Sequence, residues 1–201
     1  MSADAAFLFA VLRSVLVAAG GASAGLAVAV VLGRLPGGSM RRLGWVLALS
    51  PLLIPPLIPG YVYGDLLLLL AHRPLAKEVV YVLLMTARLM PVAVLVGHFA
   101  AASPVSTPAM HVARLSGIHW KVGILLRGPL RTALIAFVTV FLLAFSEFEI
   151  ANLLNLRHSW TFWLFDAQHS SEPLLRGMVG PVLLQLTMLS VVLVLVWDQC
   201  S

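Results

Sequence analysis

The chain has 201 residues, of which 61% are hydrophobic and only 10% charged, with a formal net charge of +5. A soluble domain carries about 45–50% apolar and about 25% charged residues, so this chain lacks the polar surface to wrap a core in water and reads as one that folds in lipid. The same figures exclude disorder, the single cysteine (Cys200) excludes a disulfide scaffold, and basic residues scattered between apolar runs exclude a nucleic-acid face.

A hydrocarbon core is crossed by about 20 helical residues, and five apolar stretches reach that length, at roughly 5–32, 43–70, 79–102, 130–154 and 178–197. The expected fold is therefore all-α, a single polytopic membrane domain of five helices. Helix 1 is not expected to be a cleaved signal, because its leading segment carries Asp4 and no Lys or Arg. Within it, Gly21-Ala22-Ser23-Ala24-Gly25 fits a serine-hydrolase elbow on paper, but that motif needs a strand before it. In an unbroken Ala/Val/Gly run the small residues predict close helix packing instead. Arg13 lies about 12 Å from the outer start of this helix at about 1.5 Å per residue.

The connection after helix 1 holds Arg34, Arg41 and Arg42 with no acid. Helix 2 carries four prolines in nine positions, Pro51, Pro55, Pro56 and Pro59, each of which removes an amide donor. Two readings stand: a kinked helix packed on its neighbours, or a broken helix lining a substrate path, with Pro55 and Pro59 at the break. The next connection, with Arg73, Lys77 and Glu78, is mixed in charge. Helix 3 bears Arg88 and His98, the latter read as packed rather than as a ligand.

Between helices 3 and 4, the segment of about 103–129 opens with Ser106-Thr107-Pro108, a capping hydroxyl before a proline that can start a helix. Ser116-Gly117 stops that short helix, and a second runs from Ile118 toward Pro129. Arg114, Lys121, Arg127 and, just beyond, Arg131 again come with no acid, so seven of the thirteen basic residues occupy two alternate connections. By the positive-inside rule both are cytoplasmic, which places the N-terminus outside and the C-terminus, with Cys200, inside. Glu147 in helix 4 then lies roughly 6 Å below the outer face of a core about 30 Å thick, and Arg88 about 8 Å deeper. A charge at mid-membrane costs about 2.5–3.5 kcal/mol, and arginine's long stem can bridge that gap. Arg88 and Glu147 are expected to pair, or to meet through water, facing the bundle interior near its external end, either as a structural tie between helices 3 and 4 or as a gate or substrate-contact site.

His111-Val112-Ala113-Arg114-Leu115-Ser116-Gly117, continuing to Leu126-Arg127-Gly128-Pro129, resembles the EAA loop of ABC importer permeases, which reads E-A-A, three residues, G, and a spacer to I-x-L-P. Ala113, Gly117 and Pro129 match and Leu126 stands for the isoleucine. His111 replaces the glutamate, Val112 the first alanine and Gly128 the leucine, and the spacer is one residue shorter. Arg88-Leu89-Met90-Pro91-Val92-Ala93 resembles the R-F-L-P-x-A stretch of the ferric-iron-type members. Phe145-Ser146-Glu147-Phe148-Glu149 with Asn152-Leu153-Leu154 and Thr161 resembles their E-F/L-x-x-T-L-L segment.

That resemblance implies a type I, MetI-like permease of the bacterial inner membrane. Two such subunits, identical or different, would form the pathway; ABC ATPase subunits holding ATP and magnesium would dock beneath; an extracytoplasmic binding protein would deliver the solute. His111, Ala113, Arg114, Gly117 and Pro129 would belong to the ATPase-coupling loop. Arg88, Glu147, Pro55 and Pro59 would belong to the pathway or its gate. Ferric iron, thiamine, a phosphonate or a polyamine are all compatible cargo. The chain itself has no phosphate-binding Gly-x-x-x-x-Gly-Lys motif and no metal-type histidine spacing, so neither catalysis nor a resident cofactor or metal is expected in it. Other readings are a degenerate permease half partnering an active one, for which His111 speaks, and an unrelated intramembrane enzyme or small channel, for which no nucleophile–base pair or polar ring is visible.

Overall fold

A computed structural model of the chain describes residues 3–55, 58, 72–99, 129–147 and 174–200. They form five helices: α1 (Ala3–Arg34), α2 (Ser39–Leu53), α3 (Pro74–Phe99), α4 (Pro129–Phe145) and α5 (Leu174–Cys200). No strand occurs among the described residues.

The helix ends follow from local chemistry. α1 is rich in Ala, Leu and Val and lacks proline, and it stops before Pro36-Gly37-Gly38. Gly38 turns the chain with φ of 102°, a conformation that suits glycine. α3 and α4 each begin at a proline, Pro74 and Pro129, where the missing amide costs nothing and the ring's φ suits the first turn.

α2 departs most from expectation. It begins at Ser39 and ends at Leu53, with Ile54 extended (ψ 117°). The residue before a proline is driven out of the α region, and Pro55 does this to Ile54. Its 15 residues span about 22 Å, short of a core about 30 Å thick. Pro51 is nonetheless accommodated inside α2. Proline removes the donor for the carbonyl four residues back, and the Ser50 hydroxyl donates to that carbonyl, Leu47 O, at 2.9 Å. Residues 59–70 and 148–154 of the expected second and fourth spans, and the 103–128 part of the connection, lie outside the described residues. Two helices, over Phe7–Arg34 and Leu75–Phe99, are long and apolar enough to cross a membrane; Leu130–Phe145 and Val179–Leu195 are shorter apolar stretches.

Side-chain contacts give the helices their directions. Gly20 meets Thr86, Gly25 meets Ala93 and Gly97 meets Ala29, so α1 and α3 run parallel. Trp45 lies against His98 at 4.8 Å, while Ala48 clusters with Val94 and Leu32, so α2 runs antiparallel to α3. α4 opposes α1, with Phe145 edge-on to Phe7 at 6.1 Å and Val140 against Gly21. α5 opposes α4, with Arg131 bound to the Leu195 carbonyl at one end and Ser146 beside Val182 and Gln185 toward the other. The chain thus alternates direction from helix to helix.

α1 and α3 form the tightest seam. A Cβ on Gly25 would sit 2.5 Å from Ala93 Cβ and 2.6 Å from the Met90 carbonyl oxygen. The small-residue run of α1 therefore does what its composition suggested: it lets two backbones approach. The core lies where α4 joins this seam, around Val17, Ala18, Met85, Ala93, Val140 and Phe141, all essentially without exposure. On α4, Phe137, Phe141 and Phe145, four residues apart, stack along one face at 6.5 and 5.9 Å. α5 packs more loosely and leaves an open groove of about 350 Å³ against α4, lined by Leu142, Ser146, Val182, Gln185, Leu186 and Leu189.

Candidate functional site

Two ion pairs gather at one end of the bundle, around α3. Arg88 Nη1 and Glu147 Oε1 lie 3.6 Å apart, with the side chains 25% and 9% exposed. The pair joins α3 to the residues just beyond α4, as the depths of the two groups lead one to expect. A helical side chain leans toward its helix N-terminus, so Arg88 reaches back along α3 to the end where Glu147 leaves α4.

A second pair was not legible in advance. Arg13 of α1 is buried, and its Nη1 stands 3.5 Å from Glu78 Oε2, whose side chain is 34% exposed. The Arg13 guanidinium also lies over the Tyr81 ring, 4.7 Å from its centroid, a cation–π contact that strengthens away from water. By sequence alone, Glu78 falls in the connection between helices 2 and 3. α3 starts at Pro74, earlier than the expected residue 79, so Glu78 is helical and turned toward α1. A usable signal did exist: Glu78, Tyr81, Met85 and Arg88 recur at steps of three and four, the spacing of one helix face. An arginine inside α1 also needs a counter-charge at its own depth.

The four charges and Tyr81 form one cluster. Glu147, Arg13, Glu78 and Arg88 all lie within electrostatic range of the Tyr81 phenol. Two cations and two anions cancel, so the cluster is neutral as a whole. Arg13 Nη1 is buried without a hydrogen-bond partner and relies on the longer-range pair and the ring. At 3.5–3.6 Å both pairs are looser than charge-assisted hydrogen bonds, which run about 2.7–2.9 Å.

The opposite end is built otherwise. Arg34, Arg41 and Arg42 are exposed, and none forms an ion pair among the described residues. Arg131, buried at the start of α4, donates from Nε (3.0 Å) and from an Nη to the Leu195 carbonyl and so ties α4 to α5. Pro129 is the first residue of α4. Pro55 is exposed just beyond α2, whereas Pro59, His111, Ala113, Arg114 and Gly117 lie outside the described residues. His98 packs against Trp45 and Phe99, at 4.8 and 5.1 Å between ring centroids, rather than among possible ligands. Among the described residues no three His, Cys, Asp or Glu side chains gather as a metal ion would require. Comparison with protein-family models, curated proteins and solved structures finds no match to this chain.

Proposed function

We propose that this chain is the permease subunit of a type I, binding-protein-dependent ABC importer, lodged in the bacterial inner membrane with its N-terminus out and its C-terminus in. The observation that carries the reading is the alternation of helix directions. It sets the Arg34/Arg41/Arg42 connection and both flanks of the EAA-like segment, the end of α3 and the start of α4, at the same end of the bundle. That end is rich in arginine and poor in acid, as a cytoplasmic face is. It is also where an ATPase would have to dock. The resemblance at Ala113, Gly117, Leu126 and Pro129 supplies the rest of the support.

In this reading residues 103–129, with His111, Ala113, Arg114, Gly117 and Pro129, couple the ATPase to the helices. ATP and magnesium belong to the partner. The solute, a small ion or polar molecule such as ferric iron, thiamine, a phosphonate or a polyamine, passes between this subunit and a second permease. Arg88 and Glu147 gate the outer end of that path, to which Pro55 and Pro59 also belong in this reading. Transmission requires only that the two ATPase states touch the loop differently.

The test is co-purification. Gly117→Val places a branched side chain at a turn expected to need a left-handed residue. The variant inserts normally but no longer retains the ATPase subunit, while His111→Glu retains it at least as well as the native chain. Undiminished ATPase retention and transport in Gly117→Val would reduce the segment to an ordinary connector.

A further inference from the structure

We infer that the α1–α2 turn is a binding site for an anionic phospholipid, its phosphate held by Arg34, Arg41 and Arg42 and an acyl chain lying along the outer face of α2. The inference rests on the membrane reading of the chain and not on the importer reading.

Three observations carry it. First, the three arginines flank a single connection of four residues, Arg34 closing α1 and Arg41 and Arg42 lying in the first turn of α2, and no acidic residue occurs in the chain between Asp4 and Asp65. All three are exposed and have no ion pair among the described residues. Guanidinium groups match phosphate oxygens in geometry as well as charge. Second, apolar side chains share the first turn of α2 with the cations and continue down the helix. Met40, Leu43 and Leu47, spaced as one helix face, are about 60% exposed (64%, 59% and 63%), and Leu53 at the far end of α2 is 80% exposed. Third, the other face of α2 is already occupied. Gly44 lies against Leu32 and Leu35, Trp45 against His98, and Ala48 against Val94 and Leu32. The exposed stripe is therefore not the face that α2 uses to hold the fold.

A cationic head above an apolar stripe complements a phosphate above a hydrocarbon tail. An acidic soluble partner would satisfy the arginines but would leave the stripe running on into the hydrocarbon with nothing specific to meet. A free phosphate would use the arginines and ignore the stripe.

The experiment takes the full chain in neutral detergent micelles and adds phosphatidylglycerol, phosphatidylcholine or inorganic phosphate. Bound molecules are counted by native mass spectrometry, with the thermal midpoint as a second reading. Phosphatidylglycerol is retained in preference to phosphatidylcholine, and inorganic phosphate neither displaces it nor raises the midpoint. Near a membrane surface each arginine contributes about a five-fold gain in affinity for anionic lipid. The triple variant Arg34→Gln/Arg41→Gln/Arg42→Gln therefore loses about a hundredfold in phosphatidylglycerol affinity, while Arg73→Gln, at the opposite end, is unchanged. Equal retention of phosphatidylcholine, a matching shift with inorganic phosphate, or undiminished binding by the triple variant overturns the site. So does a triple variant that keeps its lipid but sheds an acidic protein partner. A chain that washes off membranes in alkaline carbonate overturns the membrane reading itself, whereas a chain that stays in the bilayer and shows no lipid preference overturns this site alone.

Discussion

The two ends of the bundle treat charge in opposite ways. Around Tyr81, four charges from α1, α3 and the end of α4 are drawn inward and matched, Arg13 to Glu78 and Arg88 to Glu147. At the α1–α2 turn, three arginines stay exposed with no ion pair among the described residues. The difference follows from depth. A charge carried on an apolar helix needs a counter-charge or a polar acceptor within reach, and Arg131, buried at the start of α4, has the Leu195 carbonyl. A charge at the rim meets water or a headgroup and needs no partner from its own chain. Burial with a protein partner thus marks the charges that the fold had to accommodate, and exposure marks those left for the surroundings.

The contrast is most easily broken at Glu147. Removing one partner of a buried pair strands the other, at a cost of about 3–5 kcal/mol. Glu147→Gln should therefore accumulate poorly and melt well below the native chain in detergent. The exchange Arg88→Glu with Glu147→Arg should recover abundance. Under the proposed importer function, recovery of transport as well makes the pair a structural tie between α3 and α4; abundance without transport assigns it to the proposed gate. A Glu147→Gln chain as stable as the native one would mean that the inner charges are no more dependent on pairing than the outer ones.

A middle-sized effect is expected at the seam that holds the two ends in register. Gly25→Ala puts a methyl group 2.5 Å from Ala93 Cβ, so the helices must part, and overpacking of this kind costs about 1–3 kcal/mol. Gly33→Ala, on the same helix with nothing within 4 Å, should instead stabilise by up to about 1 kcal/mol through helix propensity alone. Thermal unfolding of the two variants side by side reads the difference, and equal shifts would show that close approach is not what Gly25 serves.

The smallest effect belongs to the rim. Arg42→Gln should change stability by no more than about 0.5 kcal/mol, as exposed substitutions do, when the thermal midpoint is measured in micelles of phosphatidylcholine and neutral detergent. A loss as large as that of Glu147→Gln would abolish the distinction between the two ends.

Much of this was present in the order of residues. Composition alone determines that the chain is helical and apolar, because a run such as 5–32 has no alternative use for so many Ala, Val and Leu side chains. Proline and glycine mark the end of α1, both ends of α2 and the starts of α3 and α4, because their constraints act on neighbours one or two residues away. Gly21 and Gly25 announced close packing, and the depths of Arg88 and Glu147 announced a pair, because both arguments need only the rise of a helix. What the sequence could not supply was the partner across a seam. Arg13 chose Glu78 and Tyr81 only once α1 and α3 lay parallel in a register set by Gly20, Gly25 and Gly97. The termination of α2 at Leu53, by contrast, was written locally in Pro55, which drives Ile54 into an extended conformation. Local chemistry acts along the chain and can be read from it; register between helices depends on which side chains interlock, and only the packed structure decides that.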